Sequence, residues 1–335
     1  MSAVDSCDEK HVLDSPMCWP PPLKAKARTS RATDDLEGEL GMDVVVAGTG
    51  SMGAPIALNL LNQGFTVGVW NRDPARLQPL LDAGAARAMD PRDGFGAPVV
   101  LSVLSDDNAV REVFLAESTL SSMGVTRSVH VNLATISPEL AREAADAHAA
   151  RQVGYVAAPM FGGVPVAEAG KLNLVTAGRT EDLERVSPFL DAISAELWPV
   201  GEDAFQANVV KVAGQVLIAA AIQSLSEAAS LVERVGGEGR RAMEIYTSTI
   251  MSGPVHAMYG AMIAESRFEP ARFTSALGRK DVDLARRLAR TNGLQLPVAD
   301  LLSDLLGEVL ESGLHDRDWS VPAEAQRHRE LWRQA

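Results

Sequence analysis

The segment that constrains this chain most runs from Asp43 to Arg72, DVVVAGTGSMGAPIALNLLNQGFTVGVWNR. A short apolar run, Asp43 to Ala47, meets Gly48-Thr49-Gly50-Ser51-Met52-Gly53. A stretch with helical apolar spacing follows and closes at Gly64. A second β-rich run, Phe65 to Trp70, comes after it. Strand, glycine loop, helix and strand in this order make a βαβ unit whose loop can accept a dinucleotide. Gly48 permits the tight turn, Gly50 leaves room for a pyrophosphate, and Gly53 lets the helix lie close to the strand. The helix N-terminus offers free N–H groups and a partial positive charge to the phosphates. Without these flanks the same glycine pattern is only a tight turn.

The end of the second strand selects the cofactor. An acid there accepts from the ribose 2′-OH of NAD. This chain has Asn71 and Arg72 instead, with Asp73 only after them. A guanidinium fork suits a 2′-phosphate. NADP(H) is therefore expected in preference to NAD(H). The alternative reading of Arg72 is a solvated turn residue.

The chain has 335 residues, room for two ordinary domains, and its 46% hydrophobic content suits a large core. A net charge of −13, with no basic block in the folded part, speaks against nucleic acid as a partner. The apolar run Val216 to Ile222 is too short to span a bilayer, so no membrane partner is expected. The polar, acidic N-terminus does not read as a secretory signal. Both cysteines, Cys7 and Cys18, precede the first strand. The folded body therefore has no means of forming a disulfide framework or a thiolate metal site, and a cytoplasmic location is expected. The six histidines are dispersed without metal-ligand spacing, so no metal site is expected.

Residues 1–41 are polar and irregular, with Pro20-Pro21-Pro22 and a small basic patch from Lys24 to Arg31. They read as a disordered extension, with the folded chain expected to start at Met42. Residues 42–203 alternate short apolar strands (Val99–Leu104, Val129–Leu133, Gly154–Ala157, Leu172–Ala177) with helices such as Pro138–Arg151 and Thr180–Ile193. Residues 204–335 read as all-helical: a long run Phe205–Val235, then Arg240–Met251, Val255–Glu265, Arg279–Thr291, Val298–Ser312 and Pro322–Gln334. The predicted fold class is α/β, an N-terminal Rossmann doubly wound sheet followed by an all-α C-terminal domain joined by a long interdomain helix. That helix is apolar on several faces, which predicts burial against other helices, in this subunit or another.

Lys211 stands out in the second half. A lysine within an apolar helix is unfavourable unless its ammonium reaches a polar cavity. Asn208 and Gln215, at i−3 and i+4, share its face. Desolvation lowers a lysine pKa toward a range useful for a proton donor. A snorkelling lysine at a helix margin is the other reading. Ala158-Pro159-Met160-Phe161-Gly162-Gly163 follows a strand, and its paired glycines expose N–H groups to an anion or simply make a turn. Leu104 and Ser105 end one strand. Thr135 follows another, and Ser137 before Pro138 reads as an N-cap. Arg279-Lys280-Asp281 reads on its own as a solvated charge group.

In this order the motifs resemble the β-hydroxyacid dehydrogenase family, which includes 3-hydroxyisobutyrate dehydrogenases and glyoxylate/succinic semialdehyde reductases and, more distantly, 6-phosphogluconate dehydrogenases and imine reductases. The resemblance runs from Met42 to near the C-terminus. It implies that Gly48, Thr49, Gly50, Ser51, Met52, Gly53, Asn71, Arg72, Leu104, Ser105, Thr135 and Lys280 line the cofactor. It also implies that Phe161, Gly162 and Gly163 contact substrate, that Lys211 is the catalytic proton donor, and that Gln215 orients substrate or lysine. A small-molecule substrate and a homodimer or higher homo-oligomer through the helical domain follow from it too. Phe268-Glu269-Pro270-Ala271-Arg272-Phe273 is similar to the segment just upstream of the late Lys-Asp pair in the reductase branch. The chain departs from the family pattern at Ala157, where aspartate is usual, at Phe161, where serine is usual, and at Gln215, where asparagine is usual. The implied activity is hydride transfer between NADPH and a small carbonyl or hydroxy compound. An imine reductase and a non-catalytic NADP-binding protein are the alternatives.

Overall fold

The computed structural model of the chain describes residues 41–123 and 128–327. The expected N-terminal extension, up to residue 40, lies outside the described residues, as does the last part of the expected helix Pro322–Gln334. Strands β1 (Val44–Ala47), β2 (Val67–Trp70), β3 (Ala86–Arg87), β4 (Val99–Ser102), β5 (Val129–Asn132) and β6 (Gly154–Ala157) form one sheet in the order β3-β2-β1-β4-β5-β6. Every pairing in it is parallel. The chain builds outward from β1 to β3, then crosses to the other side of β1 for β4 to β6. The carboxyl ends of β1 and β4 therefore flank the switch point where such sheets bind ligands. All four residues of β1 are buried, because helices cover both faces and leave no solvent side to alternate with.

The strand expected near Leu172–Ala177 forms, but not in this sheet. β7 (Met160–Phe161), β8 (Leu172–Thr176) and β9 (Ser194–Pro199) make a second sheet, with β7 antiparallel and β9 parallel to β8. Ala157 at the end of β6 makes an antiparallel bridge to Ala177, so the two sheets meet at that point. Periodicity signals that a strand exists and not which neighbour it takes. The two-residue β3, exposed at both positions, carried no apolar signal at all.

Beyond Pro199 the described chain is helical. Asp203 caps the long helix Ala204–Arg234 by accepting from Phe205 N. The helix packs on Pro138–Ala149 and on β6 and β8 on one side. On the other it packs on the helices Gly239–Ser248, Pro254–Ala264, Ser275–Thr291 and Pro297–Glu311. By length and composition it is able to cross a bilayer. Its Ala207, Lys211, Val212, Gln215, Ile222 and Ala229 are nevertheless buried inside the protein, which makes it a core helix. The helix Ser275–Thr291 starts four residues earlier than expected, because Thr274 caps it by accepting from Leu277 N.

A buried polar chain runs through the first half. His130 of β5 lies 2.9 Å, Nδ1 to Nε2, from His148 of the helix Pro138–Ala149. His130 Nε2 lies 2.8 Å from Ser102 Oγ, and His148 Nδ1 lies 2.7 Å from Ala144 O. A carbonyl only accepts, so His148 carries its proton on Nδ1. His148 Nε2 then accepts from His130, and His130 Nε2 accepts from Ser102. The chain is complete with both rings neutral. Burial holds His130 well below the usual histidine range and pushes His148 down to about 4.

The unfolded chain takes up these two protons below about pH 6.5, where the folded chain does not. Stability should therefore be fully present above that pH and decline as pH falls from 6.5 toward 4. Urea midpoints at pH 7.5, 6.5 and 5.5 check this. An unchanged or rising midpoint toward pH 5.5 contradicts it.

Candidate active site

The glycine loop divides its roles cleanly. Gly48 has φ +98°, and a Cβ there would collide with Val103 O. Gly53 is constrained by Gly48 O, so it serves closure of the loop on itself more than approach of the helix to the strand. Gly50 faces open space, where the nearest atom to an added Cβ is Arg76 Nη1 at 3.8 Å. The helix Gly53–Asn62 has no side-chain cap and no acid in its first turn. Open space at Gly50 and an uncapped, acid-free helix start fit a dinucleotide pyrophosphate.

Asn71 Nδ2 donates to Thr49 Oγ1 at 3.0 Å, and Asn71 Oδ1 accepts from Asp73 N. Asn71 thus ties the end of β2 to the glycine loop. Arg72 lies 3.6 Å from Glu112, with both side chains about two-thirds or more exposed. Such a pair is weak and leaves the guanidinium available. Sequence reasoning missed Arg76. The turn Pro74–Leu77, capped by Asp73, brings it back over Gly50. A second arginine four residues after Arg72 was the signal.

Leu104 packs beside Gly48 just past β4. Lys280 Nζ donates to Ser105 O at 2.9 Å and to Thr135 O at 2.8 Å. Those carbonyls follow β4 and β5, so one lysine from the helical half spans the loops of the sheet half. Ser137 accepts from Leu140 N as an N-cap and donates to Asp107. It serves the helix start, as its place before Pro138 suggested.

Lys211 is 6% exposed. Its Nζ donates to Gln215 Oε1 at 2.9 Å, and Gln215 Nε2 donates to Asp281 Oδ2 at 2.6 Å. The other oxygen of Asp281 lies 3.0 Å from Lys280 Nζ as an ion pair without hydrogen-bond alignment. Burial is the main effect on Lys211, pulling it down to about 8. The Asp281 charge raises it in part and Lys280 lowers it. Asn208 is on the same face and buried, with Oδ1 unpaired.

Phe161, in β7, places its ring centroid 4.3 Å from Lys211 Nζ. The ring lies on Gly214, where any Cβ would strike it. Gly162, at φ +134°, turns the chain, and Gly163 precedes the short helix Val164–Glu168. Phe161 and the lysine are thus in contact, and Lys280, paired with Asp281, connects this cluster to the loops after β4 and β5. Arg72 stands apart, at the end of β2.

The NAD binding domain model of 6-phosphogluconate dehydrogenase matches residues 43–214. The model for NAD-binding of NADP-dependent 3-hydroxyisobutyrate dehydrogenase matches residues 206–325. The chain belongs to the β-hydroxyacid dehydrogenase family. It is an NAD(P)-binding oxidoreductase acting on hydroxyl or carbonyl groups. An uncharacterized oxidoreductase of Bacillus subtilis is 34% identical, over 84% of this chain and 98% of that protein. The NAD-dependent L-serine dehydrogenase of Pseudomonas aeruginosa is 29% identical, over 83% and 95%. In fold, the chain is similar to 3-hydroxyisobutyrate dehydrogenase from Salmonella typhimurium, with a TM-score of 0.76, 22% identity and coverage of 84% and 98%.

Asp281 is the other residue sequence reasoning left without a role. It is 1% exposed, on the stripe Gly278, Asp281, Val282 and Ala285 that the helix Ser275–Thr291 buries. An acid at a buried helical register was the available signal.

The loop geometry predicts a separation of effects. Gly50→Ala should fold with a near-native thermal midpoint and bind dinucleotide at least tenfold more weakly. Gly48→Ala should lose stability outright through its positive φ and the Val103 collision. Thermal melts and fluorescence titration of the cofactor test this. Gly50→Ala with native cofactor affinity defeats it.

Proposed function

We propose that this family member transfers hydride between NADP(H) and a small carbonyl or hydroxy compound, with Lys211 as proton donor. The observation that carries this reading is a buried ammonium with its pKa lowered to about 8, hydrogen-bonded to an amide and lying against the ring of Phe161, the residue that precedes Gly162 and Gly163. A bound nicotinamide supplies or takes the hydride. The chain itself handles the proton. In the reducing direction, an ammonium N–H of Lys211 faces the carbonyl oxygen, stabilises the developing negative charge and gives up its proton. Gln215 holds one N–H and leaves the others to the substrate.

Gly48 through Gly53 would hold the pyrophosphate, with Thr49, Ser51 and Met52 in the loop. Leu104, Ser105 and Thr135 would line the nicotinamide side, and Lys280 would secure their loops. Arg72, with Arg76 beside Gly50, supports preference for a 2′-phosphate over a bare ribose. Gly162 and Gly163 would present backbone donors to substrate. Phe161 replaces a hydroxyl with a ring against the lysine, which favours less polar or bulkier carbonyl compounds over small hydroxy acids. Homo-oligomerisation through the helical half is supported by the exposed stripe Val210, Leu217 and Leu231 on the long helix.

Lys211→Ala should lower kcat by roughly a hundredfold or more while cofactor binding persists, as for loss of a general acid. In the parent, the rate of carbonyl reduction should hold below pH 8 and fall above it, because the donor is protonated only on the acid side. Steady-state kinetics from pH 6 to 10 check both. Near-normal turnover in the variant rules the lysine out.

A depletion screen with NADPH and NADH, over aldehydes, 2- and 3-oxoacids and cyclic imines, tests the rest. NADPH should be consumed faster, and a carbonyl lacking a carboxylate should outrank its carboxylate-bearing match. Arg72→Ala should weaken NADPH by roughly tenfold to a hundredfold and spare NADH, as for a lost charged hydrogen bond. Equal efficiency with both cofactors, or turnover of imines alone, overturns the reading.

A further inference from the structure

The usual family residue four positions after the lysine is asparagine, and this chain has glutamine. The extra methylene lets the amide reach in two directions at once. Gln215 Oε1 accepts from Lys211 Nζ at 2.9 Å, while Nε2 donates to Asp281 Oδ2 at 2.6 Å. All three side chains are buried, at 6%, 4% and 1% exposure for Lys211, Gln215 and Asp281.

The chemistry of the three groups permits one arrangement. An ammonium only donates and a carboxylate only accepts. The amide between them must therefore present oxygen to the lysine and nitrogen to the aspartate. Reversing it would set N–H against N–H at one end and oxygen against carboxylate at the other. Asp281 is itself fixed from the opposite side by Lys280, whose Nζ is 3.0 Å from Oδ1 and is also bonded to Ser105 O and Thr135 O. The charged groups acting on Lys211 are Asp281 and Lys280. Arg279, the neighbouring cation on that helix, pairs with Asp283. The aromatic face against the ammonium is Phe161.

We propose that Asp281 is a positioning residue that acts through Gln215: its carboxylate fixes the direction of the amide, and the amide fixes the lysine. Gln215 is then not a substrate-orienting residue but the coupler between a carboxylate and the proton donor. An asparagine side chain in place of Asp281 offers both a donor and an acceptor, so the Gln215 amide loses its imposed direction and turns its N–H toward the lysine part of the time.

This rests on Lys211 being the proton donor, and the experiment separates the two ideas. Asp281→Asn is made in the parent and in Gln215→Leu, and kcat is measured from pH 6 to 10 with NADPH saturating. In the parent background, Asp281→Asn should lower kcat about tenfold and move the alkaline limb to lower pH, with KM for NADPH little changed. In the Gln215→Leu background, the coupler is already gone, and the same substitution should change the kcat plateau on the acid side less than about twofold, while the alkaline limb still moves because the Asp281 charge acts on Lys211 directly. An equal loss of the acid-side kcat plateau in both backgrounds overturns the proposal, since Asp281 then positions the lysine without Gln215. If Asp281→Asn does not fold, Gln215→Leu alone decides: its kcat should fall about tenfold, and native kcat overturns the proposal. If Lys211→Ala retains turnover, the proton-donor reading falls and this proposal with it. If Lys211 is required yet the two backgrounds respond alike, only the coupling falls.

Discussion

The candidate site is organised around one buried charge. The ammonium of Lys211 sits within a helix that holds both halves of the protein together, and removing it from water favours the neutral amine. A pKa of about 8 instead of 10.5 corresponds to ~3 kcal/mol of differential stability between the two forms. Fully buried lysines without help fall further, to about 5–6. Asp281 supplies the charge that limits the fall, and the face of Phe161 adds an attraction of about 0.5–2 kcal/mol for the charged form. The lysine therefore stays protonated at neutral pH and remains close to giving up its proton.

Holding that balance requires the two halves to be in register. The compensating carboxylate comes from the helix Ser275–Thr291, the lysine from Ala204–Arg234, and the carbonyls anchoring Lys280 from loops of the parallel sheet. None of these segments is near another in sequence. The apolar faces of the long helix bring them together, since Ala207 packs into the sheet half and Ile222 and Ala229 into the helical half. Placement of the polar chain is thus a consequence of hydrophobic packing on both its flanks.

This explains which parts of the protein were legible in the sequence. The βαβ unit was legible because its signals are local: an apolar strand, three glycines at fixed spacing, and a helix that follows at once. Lys211 and Gln215 were legible because one helix face carries both. Asp281 was not, since its contact partner lies 66 residues away. Arg76 was missed because the fold of a single turn, rather than any periodicity, carries it over Gly50. The second sheet escaped for a related reason. β8 announced itself as a strand, while its partners β7 and β9 are short or half-exposed, and pairing is decided by tertiary position.

The contact of Phe161 with Gly214 shows how a large side chain is accommodated beside Lys211 without changing the frame. A hydroxyl in place of the ring would leave a gap over the long helix. The ring fills it only because residue 214 has no Cβ. The glycine has a cost, since glycine in a helix interior destabilises by roughly 0.5–1 kcal/mol relative to alanine. Burying one face of a phenyl ring offsets that, at about 25 cal/mol for each Å² of apolar surface removed from water. The pair is thus a matched exchange, in which a ring at residue 161 and a missing Cβ at residue 214 together put an apolar wall in direct contact with Lys211. Alanine at residue 214 would force the ring off the helix and away from Lys211, so the glycine belongs to the site as much as the ring does.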